Sequence, residues 1–146
     1  YGDIEQFLAR WLDALAQDPE LAGAIAALPG RRLIFTNASE GHAYRVLARL
    51  GLDGLFEAVF HIGSADYQAK PAPQSFERLC ADHAVNPHTA CFFEDSERNL
   101  EPAARLGMTT VLVGPAAAQS SAPFVQHKTD ALAAFLRTAR VRETAQ

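Results

Sequence analysis

The run Ala90-Cys91-Phe92-Phe93-Glu94-Asp95-Ser96-Glu97-Arg98-Asn99-Leu100 limits the fold more than any other stretch of the 146 residues. Small and apolar residues lead straight into two adjacent carboxylates, followed by Ser, Arg and Asn. That order reads as a buried strand delivering acid groups at its C-terminal end. Strands of parallel sheets, covered on both faces, have nearly continuous apolar sequences. Ligands of open α/β sheets bind just beyond such strand ends. The rest of the chain is therefore read for what it brings to the same edge.

Arg32-Leu33-Ile34-Phe35-Thr36-Asn37 is another short apolar strand, ending in a hydroxyl and an amide. A helix follows from about Ser39 to Leu50, with Gly51 as a left-handed C-cap. Thr36 and Asn37 either cap that helix or, with its free N–H groups, bind an anion. Phe56 to Ile62 reads as the next strand, with His61 near its end as a structural or solvent-touching histidine. Gly63 to Ala69 is a polar loop running into Lys70-Pro71-Ala72-Pro73. Proline there makes a rigid entry to a helix carrying Phe76, Leu79, Cys80 and His83. Met108 to Val113 is a strand rich in Thr and Val. Gly114 to Pro123 is a small-residue loop, Phe124 to His127 a short edge strand, and Asp130 caps a last helix carrying Leu132, Phe135 and Leu136. At the other end, Ile4, Phe7, Leu8, Trp11, Leu12 and Leu15 fall at helical spacing. Asp18-Pro19 opens a further helix, buried through Leu21, Ile25 and Leu28 and stopped at Pro29-Gly30.

Alternating strands and helices predict an α/β fold, a three-layer Rossmann-like parallel sheet with helices on both faces. A net charge of -4 without a basic cluster excludes a nucleic-acid polymer as partner. The apolar runs fall short of the roughly 20 residues that cross a membrane. Cys80 and Cys91 sit in apolar settings without Cys-x-x-Cys spacing and read as buried free thiols of a cytoplasmic protein. The chain opens on Tyr1 without a signal-peptide pattern, and so is not expected to begin where its gene begins. On the shared edge, Thr36-Asn37, Lys70 and Glu94-Asp95 supply a hydroxyl, an ammonium and two carboxylates. That set suits a phosphoryl group with Mg²⁺: carboxylates hold the hard cation, and lysine stabilises phosphate charge. No Gly-x-Gly-x-x-Gly follows a strand, which excludes a dinucleotide fold. The order Thr, Lys, acids also excludes a phospho-receiver domain, which needs its acid pair first and its Lys last.

Leu33-Ile34-Phe35-Thr36-Asn37, Lys70-Pro71-Ala72-Pro73 and Phe92-Phe93-Glu94-Asp95-Ser96-Glu97-Arg98-Asn99-Leu100 resemble, in that order, motifs two, three and four of the haloacid dehalogenase-like (HAD) hydrolases. The likeness is greatest to the pyrimidine 5′-nucleotidase group, with Leu50-Gly51-Leu52 and Leu106-Gly107-Met108-Thr109-Thr110-Val111 in support. It runs from about Asp18 to Val113. The resemblance implies a Mg²⁺-dependent phosphomonoesterase in which an aspartate attacks phosphorus and water hydrolyses the aspartyl-phosphate. Thr36 and Asn37 would bind the phosphoryl group, and Lys70 would bridge nucleophile and phosphate as the catalytic cation. Asp95 would be the metal ligand with Glu94 as second candidate, and Ser96 and Asn99 would shape the metal loop. The partner would be a small phosphorylated metabolite, in the family group a nucleoside 5′-monophosphate.

One departure stands out. The family's first motif, a strand ending Asp-x-Asp that carries the nucleophile, occurs nowhere in the 146 residues. That strand lies at the sheet centre, between the strands ending at Thr36 and Glu94, so the core over residues 18–146 is expected to be incomplete there. Residues 1–17 resemble the last part of the family's helical cap. The chain is then expected to be the C-terminal part of a longer HAD protein, inactive alone. The alternative is an inactive phosphate- and metal-binding interaction module, a homodimer formed through the exposed sheet edge.

Overall fold

Parallel strands alternate with helices through the computed structural model, which describes residues 17–144. The helix expected over Ile4 to Leu15, and with it nearly all of the cap remnant, lies outside the described residues. Helix α1 (Pro19–Ala26) starts as its sequence dictates, with the Asp18 carboxylate accepting the Leu21 N–H at 3.0 Å and proline in the first turn. Strand β1 (Leu33–Phe35) follows, then α2 (Glu40–Leu50), whose N-cap is Ser39. Gly51 closes α2 at φ +72°, with the Leu52 N–H on the Leu47 carbonyl at 2.8 Å. Next come β2 (Ala58–Phe60), α3 (Pro73–Asp82), β3 (Cys91–Glu94), α4 (Leu100–Leu106), β4 (Thr109–Val113), β5 (His127–Thr129) and α5 (Leu132–Thr144). No helix among the described residues is long and apolar enough to cross a membrane.

The strands form two parallel half-sheets. In one, β1 pairs with β2 in the register Leu33↔Ala58 to Phe35↔Phe60; in the other, β4 lies between β3 and β5. No ladder joins β1 to β3 among the described residues, yet the two are neighbours, because the Phe35 and Phe92 ring centroids are 5.9 Å apart. A seam therefore runs where the resemblance put the missing central strand. Burial shows its effect. Thr110, Val111 and Leu112 of β4, the strand with a neighbour on each side, are buried, whereas Leu33, Ile34 and Phe35 are only half-buried. Cys91, expected to be buried, is exposed at the start of β3, and Cys80 is half-buried; both thiols are free.

Helices cover both faces, so the fold has the expected three layers. On one face Ile34, Val59 and Phe93 pack with Ile25 of α1, Leu47 of α2 and Leu136 of α5. On the other, Phe35, Phe60, Phe76 and Phe92 make edge-to-face or tilted contacts, with centroids 4.9–5.9 Å apart. This aromatic cluster crosses the seam and ties the half-sheets together. The edge strand is shifted from its expected place at Phe124 to His127. The buried Thr110 hydroxyl donates to the Phe124 carbonyl at 2.6 Å and accepts from the Gln126 N–H at 3.1 Å. The backbone there is thus held by a side chain, and strand pairing begins only at His127, opposite Val111.

Gly107 ends α4 at φ +99°, and its neighbour's N–H, on Met108, donates to the Ala103 carbonyl at 3.0 Å. A Cβ at Gly107 would stand 2.6 Å from Nδ1 of His88. His88 is exposed and can swing aside, so the left-handed backbone is the lasting cost. Gly107→Ala should lose about 1–2 kcal/mol of stability. Urea unfolding should show the same loss in a His88→Ala background; recovery there would assign it to the contact instead.

Candidate active site

The C-terminal ends of β1 and β3 carry the groups that the sequence singled out, and Lys70 joins them. Its ammonium donates to the Phe35 carbonyl at 3.1 Å and to Glu94 Oε1 at 2.6 Å. It also stands over the Phe35 and Phe92 rings, 5.0 and 5.6 Å from their centroids. The two charged side chains are 9% and 8% exposed, so the pair is buried at the seam. The aromatic bracket was missed in the sequence, although its signal was there: Phe35 directly precedes Thr36, and Phe92 lies two residues before Glu94.

Asn37 holds the lysine in place. Its Oδ1 accepts the Lys70 N–H at 2.7 Å, and its Nδ2 donates to the Lys70 carbonyl at 3.3 Å. Both amide atoms thus engage the Lys70 main chain, so Asn37, expected beside the phosphate, also positions Lys70. Thr36 sits at the end of β1 with its N–H on the Phe60 carbonyl at 3.0 Å, and its Oγ1 accepts the Ala38 N–H at 3.0 Å. The Thr36 hydroxyl proton remains available for an anion.

Glu94 is the hub of the site. Oε1 accepts from Lys70 and from Asn99 Nδ2 at 3.1 Å; Oε2 accepts from the Asp95 and Ser96 N–H groups at 2.9 and 3.1 Å. A carboxylate offers about four lone-pair sites, and all are taken. Glu94, the second metal candidate, is thus the anchor of the loop, and Asp95 beside it is exposed. Asn99 is buried, and its Oδ1 has no hydrogen-bond partner among the described residues. Ser96 contributes its backbone to the Glu94 cap.

The two acids titrate as a pair. Burial would raise the Glu94 carboxyl, but hydrogen bonds from Asp95 and Lys70, the ammonium charge and the Ser96 N–H hold it below the usual range. Asp95 moves the other way, raised by its hydrogen bond to Glu94, by burial and by the neighbouring charge. A cation at Asp95 would relieve that crowding. The donors fit Mg²⁺: Asp95 and the Asn99 Oδ1 are hard oxygens, and Mg²⁺ takes one or two carboxylates with water and phosphate oxygens. Among the described residues no group of three or more His, Cys, Asp and Glu side chains could hold a metal. His61, read as structural, lies 3.2 Å from Glu40 through Nε2, and its Nδ1 accepts the Gly63 N–H at 3.2 Å.

Solved structures share this arrangement of strands and helices. The L-2-haloacid dehalogenase from Xanthobacter autotrophicus with chloropropionic acid covalently bound superimposes with a TM-score of 0.68 at 22% identity, over 84% of this chain and 60% of that one. A HAD family hydrolase from Deinococcus radiodurans R1 with bound phosphate and sodium gives 0.69 at 20% identity, over 84% of this chain and 58% of that one. An aspartate-to-alanine variant of a HAD family enzyme from Bacteroides thetaiotaomicron, in complex with magnesium and inorganic phosphate, gives 0.59 at 22% identity, over 74% and 60%. This chain thus spans 58% to 60% of the length of those chains. The family model of haloacid dehalogenase-like hydrolases matches residues 3–107, a stretch that carries Thr36, Lys70 and Glu94-Asp95. On these grounds the chain belongs to the haloacid dehalogenase-like hydrolases.

Proposed function

We propose that the protein is a cytoplasmic Mg²⁺-dependent phosphomonoester hydrolase acting on nucleoside 5′-monophosphates, as in the pyrimidine 5′-nucleotidase group. The observation that carries this reading is the Lys70 ammonium between the Phe35 carbonyl and Glu94, beside Thr36 and Asp95. The Thr36 hydroxyl donates to a phosphoryl oxygen, and Lys70 offsets the charge that develops on phosphorus. Asp95, with the Asn99 Oδ1 in support, holds the Mg²⁺, which neutralises phosphate charge when bound. The attacking aspartate comes from outside these residues, on a parallel strand entering the seam between β1 and β3. There it would complete both half-sheets and present its side chain to Lys70.

Relatives with this fold include a dehalogenase and proteins with bound phosphate. The exposed Asp95 carboxylate beside the Lys70–Glu94 pair favours the Mg²⁺-dependent phosphatase, because it would repel an anionic substrate unless a cation sat between. Phosphate release from nucleoside monophosphates by the full-length protein, abolished by EDTA and restored by Mg²⁺, is the expected result. Halide release from 2-chloropropionate in EDTA, without phosphatase activity, would overturn the proposal. The open seam and the lack of Asp-x-Asp favour a second reading, a phosphate- and metal-binding interaction module pairing with a second copy. Mg²⁺-dependent phosphate binding without turnover would select it.

A further inference from the structure

Two non-glycine residues in succession, Asp66 at φ +55° and Tyr67 at φ +61°, adopt the left-handed conformation in the loop before Lys70. Each costs about 1–2 kcal/mol in that region. The loop is held there by the Asp66 N–H on the Gly63 carbonyl at 3.1 Å and the Tyr67 N–H on the Ile62 carbonyl at 2.8 Å. Folding gains little in return, since Tyr67 is 75% exposed. Tyr44, the other exposed tyrosine among the described residues, lies on the regular helix α2 and needs no such account. Strain that packing does not explain points to a role in binding.

The position of the ring gives that role. A Cβ at Gly63 would be 3.9 Å from the Tyr67 hydroxyl, so the tyrosine folds back over Gly63, just beyond the end of β2. His61 reaches Glu40, the first residue of α2, and the Ile62 N–H bonds the Ala38 carbonyl at 3.1 Å. The loop that carries Tyr67 is thus tied at both ends to the segment after β1, by Ile62 to Ala38 and by Lys70 to Asn37 next to Thr36. Lys70 is three positions on from Tyr67, at most about 11 Å between Cα atoms. We propose that Tyr67 is a specificity-determining residue, a platform that stacks on the aromatic base of the leaving nucleoside while the phosphate sits at Thr36 and Lys70. This rests on the phosphatase reading above.

The test compares kcat/KM for a nucleoside 5′-monophosphate, whose leaving group carries an aromatic base, with that for glycerol phosphate in the full-length protein. Tyr67→Asn keeps a residue that tolerates left-handed backbone, and Tyr67→Phe keeps the ring. The aromatic-to-glycerol ratio should fall about 10-fold in Tyr67→Asn, the loss of one stacking contact, and be kept in Tyr67→Phe. Wild-type turnover of both esters with an unchanged ratio in Tyr67→Asn would overturn this assignment alone. A wild-type protein that hydrolyses neither would overturn the phosphatase reading and this inference with it.

Discussion

Lys70→Met should lower kcat/KM for phosphomonoester hydrolysis by about 10²- to 10³-fold, the usual loss when one charge-stabilising donor is removed. It should also destabilise the fold. Lys70 is paired to Glu94 at 2.6 Å with both side chains about nine-tenths buried, and removing one partner strands a buried charge at a cost of about 3–5 kcal/mol. The two losses have different origins, and a second substitution separates them. Glu94→Gln in the Lys70→Met background removes the stranded charge while keeping a side chain of the same shape at the Asp95, Ser96 and Asn99 contacts. The double variant should regain most of the stability in urea unfolding and none of the activity. A double variant as unstable as Lys70→Met would show that the ion pair is not what Lys70 contributes to the fold.

Asp95→Asn should be the mirror case, inactive but no less stable. Asp95 is exposed, and its carboxyl is pushed up mainly by its hydrogen bond to Glu94. Replacing it with an amide removes a like charge from beside Glu94 and leaves the Lys70 pair intact. Activity at saturating Mg²⁺ should fall by about 10²-fold or more. Binding to the folded state raises its stability by mass action, so Mg²⁺ should raise the Tm of the wild-type protein and leave that of Asp95→Asn unmoved. An equal Mg²⁺ shift in both proteins would place the cation elsewhere. The corresponding change at Glu94 should behave differently: Glu94→Gln alone leaves the buried Lys70 ammonium without its counter-ion, so it should destabilise where Asp95→Asn does not.

Much of the architecture was legible because its signals act over a few residues. Asp18 and Pro19 start α1, Ser39 and Gly51 bound α2, and Gly107 ends α4, each through hydrogen bonds to neighbours within about one turn. The strand ends at Thr36 and Glu94 were marked by the switch from apolar to polar residues, and the seam between them by the missing Asp-x-Asp. The shifted edge strand was not legible. Nothing local distinguishes Phe124 to His127 from a strand, and only the Thr110 hydroxyl, 14 residues away from Phe124, decides it.

The site divides along the same line. The residue types at the sheet edge, and the chemistry they allow, are properties of the sequence. Their division of labour is not. Asn37 became the clamp of a lysine 33 residues on, and Lys70 reached a carbonyl 35 residues back, once β1 and the α3 entry were packed together. Glu94 and Asp95 are adjacent acids of nearly equal chemistry. Tertiary structure alone turned one inward, where four donors use up its lone pairs, and left the other exposed. Hydrogen-bond capacity is filled by whatever the fold brings within about 3 Å, and that distance is set by packing between strands far apart in the chain.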